Sequence, residues 1–288
     1  MGRPLGVSTY VWTSPFTDNQ ASALASHAKE LGFELLEVCI EDPAQVSADA
    51  LNEAAQETGL GLSVCGAFGP ERDISDDDPE RREDAKAYLK TCINLAAAVG
   101  SRNVVGPMFS ATGKTRLVTA EEREDQRCLA AEGLREVADW AGERGVALAI
   151  EPLNRFETDL VNTVEQGLDL CDRIGRDNVG LLLDTFHMNI EEKSIPDAVR
   201  MAGERVFHVH TSENDRGAPG SGHIDWEGLF SALGDIGYDG QLVIESFTPE
   251  IKEIARAVSL WRPVAASGDD LAREGAAFLR KVEASCLA

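Results

Sequence analysis

Positive charge is what this chain lacks most. Its 27 lysines and arginines face 50 aspartates and glutamates, a formal charge of −23 over 288 residues. Such a field repels phosphate backbones and anionic membrane surfaces, so neither nucleic acid nor a membrane is an expected partner. It favours a neutral or cationic ligand, or a metal ion. No apolar run approaches the roughly 18 residues of a membrane span, and no apolar stretch follows a basic start, so a cytoplasmic protein is expected. None of the six cysteines (Cys39, Cys65, Cys92, Cys128, Cys171, Cys286) forms a C-x-x-C pair. That removes a zinc ribbon or dithiol redox motif and leaves reduced thiols, most of them packed as small hydrophobes. No Pro/Gly/Ser-rich break, low-complexity segment or sequence repeat divides the chain, so residues 1–288 read as one domain. Aromatic residues make up only 6%. Those near strand ends, Tyr10, Trp12, Phe68, Phe109 and Phe247, therefore stand out as a candidate apolar wall or as core.

What is present is an alternation. Eight short β-rich runs, 5–12, 34–40, 62–67, 103–108, 146–151, 179–184, 206–210 and 241–245, are separated by longer stretches with apolar residues at i, i+3, i+4 spacing. In "RREDAKAYLKTCINLAAAVG" the residues Ala85, Leu89, Cys92, Ile93 and Ala96 share one face, and Gly100 supplies a stop. In "AAEGLREVADWAGERG" the stripe is Leu134, Val137, Ala138 and Ala141. Continuous apolar strands alternating with amphipathic helices imply a parallel sheet covered by helices. Eight such units predict a single (β/α)8 TIM barrel, and the lack of G-x-G-x-x-G after the first strand weighs against a dinucleotide-binding open sheet.

In such a barrel, function gathers where strands end. Four consecutive runs end on a metal-competent residue: "LAIE" on Glu151, "LLLD" on Asp184, "FHVH" on His210 and "LVIE" on Glu245. Taken singly each has a plainer explanation; Asp184 reads equally as the cap of the next helix. Four in register on neighbouring strands line one arc of the barrel mouth, where three carboxylates repel one another unless a cation joins them. Three carboxylates and one imidazole suit manganese, magnesium or cobalt better than a thiolate-rich structural zinc site. His208, two residues before His210, points to the same side and is placed a layer below. The following loops add Asn154 and Glu157, His187, and Arg216 in a Gly-rich segment; His27 and His223 look unremarkable in a helix and a loop.

The segments "EPLNRFET", "LDTFHMNIEE", "HVHTSENDRGAPGSGHIDW" and "IESF" resemble the ketose 3-epimerases, the D-tagatose/D-psicose (allulose) 3-epimerase family of the xylose-isomerase-like barrels. The resemblance implies an isomerase that inverts C3 of a free ketose of the fructose/psicose, tagatose/sorbose or ribulose type through a cis-enediolate. It implies a divalent metal, foremost Mn2+ with Co2+ or Mg2+ as alternatives, on Glu151, Asp184, His210 and Glu245. Glu151 and Glu245 double as the acid/base pair. Glu157, His187 and Arg216 match residues holding the sugar's O1–O3 end, "VCG" brings Cys65 and Gly66 near the substrate, and Phe247 joins the wall. A homodimer or homotetramer is implied as well. Two features depart from the family pattern: the loop "GPMFSATGKTRLV" carries Ser110, Ala111 and Thr112 where a tryptophan is common, and the tail "FTPEIKEIARAVSLWRP" is long. Both favour the competing reading of an epimerase, lyase or dehydratase acting on a 3-keto-glycoside or inosose. A sugar-phosphate epimerase needs a basic cradle, for which only Lys114 and Arg116 stand near the rim. An apurinic-endonuclease-like enzyme lacks its basic footprint here, and a non-catalytic metal- or sugar-binding protein needs no acid/base pair.

Overall fold

All eight apolar runs become strands in the computed structural model, which describes residues 2–286. β1 (Leu5–Ser8), β2 (Leu35–Ile40), β3 (Gly61–Gly66), β4 (Asn103–Gly106), β5 (Ala147–Ile150), β6 (Val179–Asp184), β7 (Val206–His210) and β8 (Leu242–Ile244) pair in parallel, in chain order, and β8 closes onto β1. The first strand is shorter than its β-prone sequence predicts. Ser8 takes extended geometry and its side chain accepts from Tyr10 N, turning Thr9–Val11 into a 3-10 turn.

The helices that cover the barrel are α1 (Ala21–Glu30), α2 (Ala48–Thr58), α3 (Pro79–Val99), α4 (Ala120–Gly142), α5 (Val164–Ile174), α6 (Thr185–Glu191), α7 (Ile195–Ala202), α8 (Trp226–Asp235), α9 (Lys252–Ala257) and α10 (Gly268–Cys286). Their ends are written in the sequence. Asp78 caps α3, and Thr119 with Glu122 and Thr163 with Gln166 form reciprocal capping boxes at α4 and α5. Gly100 stops α3 in the left-handed conformation, φ 73°. Both predicted stripes are buried in full, on α3 and α4. Each large apolar side chain so buried, such as Leu89 or Ile93, contributes about 1.5–3 kcal/mol. No described helix is long and apolar enough to cross a membrane.

The barrel wall separates two environments with the period of a strand. Leu36, Val38 and Ile40 of β2, Leu62 and Val64 of β3, and Leu181 and Leu183 of β6 belong to the large apolar layer between barrel and helices. Cys39, Cys65, Val105, Ala149 and Leu182 form a smaller interior cluster. Glu37, Ser63 and His208, each two residues before the mouth-level position on its strand, share that interior parity and are fully buried. An irregularity between Leu181 and Leu182 shifts the β6–β7 register so that Asp184 and His210 lie side by side at the mouth. All six cysteines are free; Cys39, Cys65, Cys92 and Cys171 are buried, whereas Cys128 and Cys286 are exposed.

Candidate active site

Asp184 answers to both of its readings. One carboxylate oxygen, Oδ1, accepts from Phe186 N at 2.6 Å and caps α6, while Oδ2 turns into the barrel mouth. There Oδ2 lies 3.8 Å from His210 Nδ1, which is also 3.8 Å from Glu151 Oε1 and 3.4 Å from Glu245 Oε2. One ligand-competent atom from each of the four residues falls within 4.8 Å of all the others. All four are buried. Donors about 2.0–2.1 Å from a common octahedral ion stand roughly 3 Å apart when adjacent and roughly 4 Å when opposite, so the quartet has the spacing of a cation site.

Two atoms of this quartet fit a cation specifically. Glu151 Oε1 and His210 Nδ1 are buried and have no hydrogen-bond partner. His210 donates from Nε2 to Glu37 Oε1 at 2.8 Å, so Nδ1, which faces the carboxylates, is the nitrogen whose lone pair becomes available when the ring is neutral. The field there favours positive charge: burial works against a charged His210, but Glu245 and Glu37 overcome it and raise its pKa well above the ordinary value. The same surroundings drive the two glutamates apart. Burial, then Glu245, push the Glu151 carboxyl well up. Burial also raises Glu245, but His210 and Arg216 outweigh it and leave that carboxyl below its usual range.

Arg216 is the second positive element. Its Nη1 donates to Asp184 Oδ2 at 2.6 Å, Ser212 Oγ at 2.9 Å and Glu245 Oε2 at 3.1 Å. The guanidinium lies 4.1 Å from the Phe186 ring centroid and 5.2 Å from that of Phe247. Its backbone is left-handed, φ 67°, a conformation that costs a non-glycine residue about 1–3 kcal/mol. It is pinned by Arg216 N donating to Glu213 O and Ser246 Oγ donating to Arg216 O. Glu213 itself is fully buried and accepts from the backbone N–H groups of Asn214, Gly220, His223 and Ile224 and from Trp226 Nε1, so the Gly-rich loop is wound around one carboxylate.

His187 sits beside this pair. Its Nδ1 accepts from Asn154 N at 3.1 Å, and its Nε2 stands 3.7 Å from Glu151 Oε1 and 3.1 Å from the guanidinium donor Arg216 Nη2. Burial lowers its pKa to about 3. Asn154 also donates from Nδ2 to Glu157 Oε1 at 2.8 Å, tying the loop after β5 into one polar unit; burial raises the Glu157 carboxyl.

A cavity of about 380 Å³ opens over these groups. Glu151, Glu157, His187, Arg216 and Glu245 line it together with Cys65, Gly66, Phe68 and Phe247. Gly66 has no room for a side chain, because a Cβ there would meet the Phe68 ring at 2.7 Å. Gly106, at φ 126°, would bring one to 2.9 Å from Gly66 O, so these two glycines let the rims of β3 and β4 meet beneath Phe68. Of the five aromatic candidates, Tyr10, Phe68 and Phe247 reach the cavity. Phe109 is core instead, and Trp12 packs on His27 and donates to Asp269. The long tail after β8 contributes Ile254 and Val258, four residues apart, to the cavity lining. His223 stays in the loop, its backbone N–H donating to Glu213.

The basic residues near the rim are engaged elsewhere. Lys114 Nζ contacts Asp73 Oδ2 at 2.5 Å and Ser75 Oγ at 2.9 Å, and Arg116 pairs with Asp159 and Gln126. Glu37 is the residue that strand-end reasoning overlooked. It touches both His208 and His210, and with them forms a second group of ligand-competent atoms within 4.8 Å. Its signal was an acid at an interior position of an otherwise apolar strand.

A family model described as the xylose isomerase-like TIM barrel matches residues 25–282. A probable ketose 3-epimerase of Synechocystis sp. is 35% identical over 276 residues, which span 96% of this chain and 95% of that protein. The structure of an L-ribulose 3-epimerase superposes with a TM-score of 0.93 at 32% identity, covering all of this chain and 96% of the other. A D-allulose 3-epimerase from Methylomonas sp., solved in complex with D-allulose, superposes with a TM-score of 0.91 at 29% identity over 98% of both chains.

Proposed function

Because the chain belongs to the xylose isomerase-like TIM barrels and, among them, to the ketose 3-epimerases, we propose that it inverts C3 of a free ketose of the fructose/psicose, tagatose/sorbose or ribulose type. The observation that carries this reading is the pairing of Glu151 and Glu245. They reach one buried cluster from β5 and β8, with two strands between them around the barrel, and their pKa values are driven in opposite directions. Inversion needs a base on one face of the enediolate and an acid on the other, because a single group would return the proton to the face it left. Two carboxylates arriving from different strands meet that need.

A divalent ion held by Glu151, Asp184, His210 and Glu245 supplies, when bound, the charge that polarises the C2 carbonyl and offsets the negative charge left by the C3 proton. The oxygen-rich, thiolate-free donor set suits Mn2+, Co2+ or Mg2+ better than a structural zinc site, and the resemblance to the ketose 3-epimerases puts Mn2+ first. His187 presents Nε2 beside Glu151 and Arg216 adds fixed positive charge; with Glu157 they bind and orient the O1–O3 end. Cys65, Gly66 and Phe247 form the neighbouring wall. The engaged state of Lys114 and Arg116 leaves no basic cradle for a phosphate. A cytoplasmic homodimer or homotetramer is part of the proposal; Leu117, Phe156 and Trp261, exposed on the loops after β4, β5 and β8, are in keeping with association.

The apolar residues that the tail adds to the cavity and the absence of tryptophan in the fourth loop favour one second reading, a 3-keto-glycoside or inosose as substrate. Incubation in deuterated water with Mn2+ separates the two. Deuterium at C3 of recovered fructose, tagatose or ribulose, with the epimer alongside, is the expected result. Exchange or cleavage confined to keto-glycosides would move the chain to the second reading, and no exchange on either would refute both.

A further inference from the structure

Glu37 is a carboxylate in the middle of a buried strand, with no exposed surface and no direct contact to the cavity. Burying such a group is costly unless every lone pair is met by a donor. Here they are met. Oε1 accepts from His210 Nε2 at 2.8 Å; Oε2 accepts from Ser63 Oγ at 2.9 Å and stands 2.9 Å from His208 Nε2. His208 is in turn 3.3 Å through Nδ1 from Gln241 Nε2. The result is a polar chain across the barrel interior, Gln241–His208–Glu37–His210, drawn from β2, β7 and the residue preceding β8. Its last member turns its other nitrogen, without a partner, toward Glu151, Asp184 and Glu245.

An imidazole binds a cation only through a nitrogen that holds a lone pair, and the other nitrogen decides which one that is. A hydrogen-bond acceptor fixed at Nε2 keeps the proton there, sets the ring plane and makes Nδ1 a stronger donor. Among the described residues, Glu37 is the hydrogen-bond partner of His210 Nε2. We infer that Glu37 is a positioning residue for the cation site: through Nε2 of His210 it fixes the tautomer and orientation in which Nδ1 takes up the divalent ion. The inference rests on the metal reading proposed above and adds to it a residue from the half of the barrel that supplies none of the four ligands.

Mn2+ binding to the metal-free protein, by titration calorimetry or equilibrium dialysis, tests it alongside the unfolding midpoint without metal. Glu37→Gln keeps the shape and one acceptor; Glu37→Leu removes both. The parent should bind one ion per chain, Glu37→Gln about tenfold more weakly and Glu37→Leu up to about a hundredfold, the range found when such supporting partners are removed. A purely structural role would lower the unfolding midpoint and leave the Mn2+ dissociation constant alone. Retention of parental affinity by both variants overturns the inference. So does a second Mn2+ per chain that disappears with Glu37, since Glu37 would then be a ligand itself. If neither variant folds, Ser63→Ala loosens the same carboxylate and should weaken binding a few-fold; unchanged affinity there counts against the role. A parent that takes up no Mn2+ defeats the metal reading itself, whatever Glu37 does.

Discussion

The two halves of the barrel use charge differently. In β5 to β8 every strand delivers an ionisable side chain to one point at its mouth end, three of them acids that repel each other. In β1 to β4 the mouth ends are Ser8, Ile40, Gly66 and Gly106, and the basic residues of the loop after β4 are paired, Lys114 with Asp73 and Arg116 with Asp159 of the loop after β5. Both halves have the same architecture and equally apolar outer faces. The fold therefore does not require the second-half charges, and a fold that tolerates them is giving up stability for chemistry. The contrast yields opposite expectations for substitutions on the two sides.

The largest effect belongs to the second half. Glu151→Gln and Glu245→Gln should each cut turnover by a factor of about 10² to 10⁴, the usual contribution of a positioned acid or base, measured as C3 exchange per folded molecule. Metal-free Glu151→Gln should unfold at a higher temperature than the parent, because burial and the Glu245 and Asp184 charges all oppose ionisation of Glu151. Asp18→Asn, at an exposed carboxylate that accepts from Ser47 N, should leave turnover unchanged. Full activity in both glutamine variants would remove the distinction between the halves.

How much of this could be read beforehand follows the same divide. Runs such as "VGLLLD" show their strand, and an acid or imidazole closing an apolar run stands out against it, so the quartet was legible without coordinates. Glu37 was not. In "ELLEVCI" an acid two residues from an interior cysteine looks like the polar side of a half-exposed strand, and only the closed barrel places His208 and His210 opposite it. The end of β1 was misjudged because "STYVW" is β-prone throughout, while one Ser8 hydroxyl bond turns the chain. Trp12 and Phe109 stayed open between wall and core, because local spacing fixes neither the loop's path nor which ring reaches the mouth; Phe109 proves to be core. The tail offered a short amphipathic repeat, Ile254 and Val258, but nothing local says what that stripe covers.

In the first half the expected damage is to stability. Lys114 and Asp73 are both largely buried, and the lysine also contacts Ser75 Oγ. Lys114→Met leaves the Asp73 carboxylate without its cation and should cost about 3 kcal/mol in urea unfolding, with turnover per folded molecule near the parent's. A loss of turnover without a loss of stability would mean that this pair serves the reaction and that the halves are not so divided.

The smallest effect tests the seam where the last helix meets the first. Asp269, at the start of α10, accepts from His27 Nε2 at 2.7 Å and from Trp12 Nε1 at 2.9 Å. The His27 hydrogen bond, with help from Trp12, outweighs desolvation and holds the Asp269 carboxyl below its usual value of 3.8. A carboxyl whose pKa is lower folded than unfolded stabilises the fold above the unfolded value, and that contribution fades as pH falls through the folded one. Asp269→Asn should therefore lower stability at neutral pH by at most about 1 kcal/mol, as befits a half-exposed pair. The difference from the parent should narrow as the pH is brought below 3.8. A gap that stays constant down to acid pH would assign the seam to packing of Trp12 against His27 rather than to the Asp269 charge.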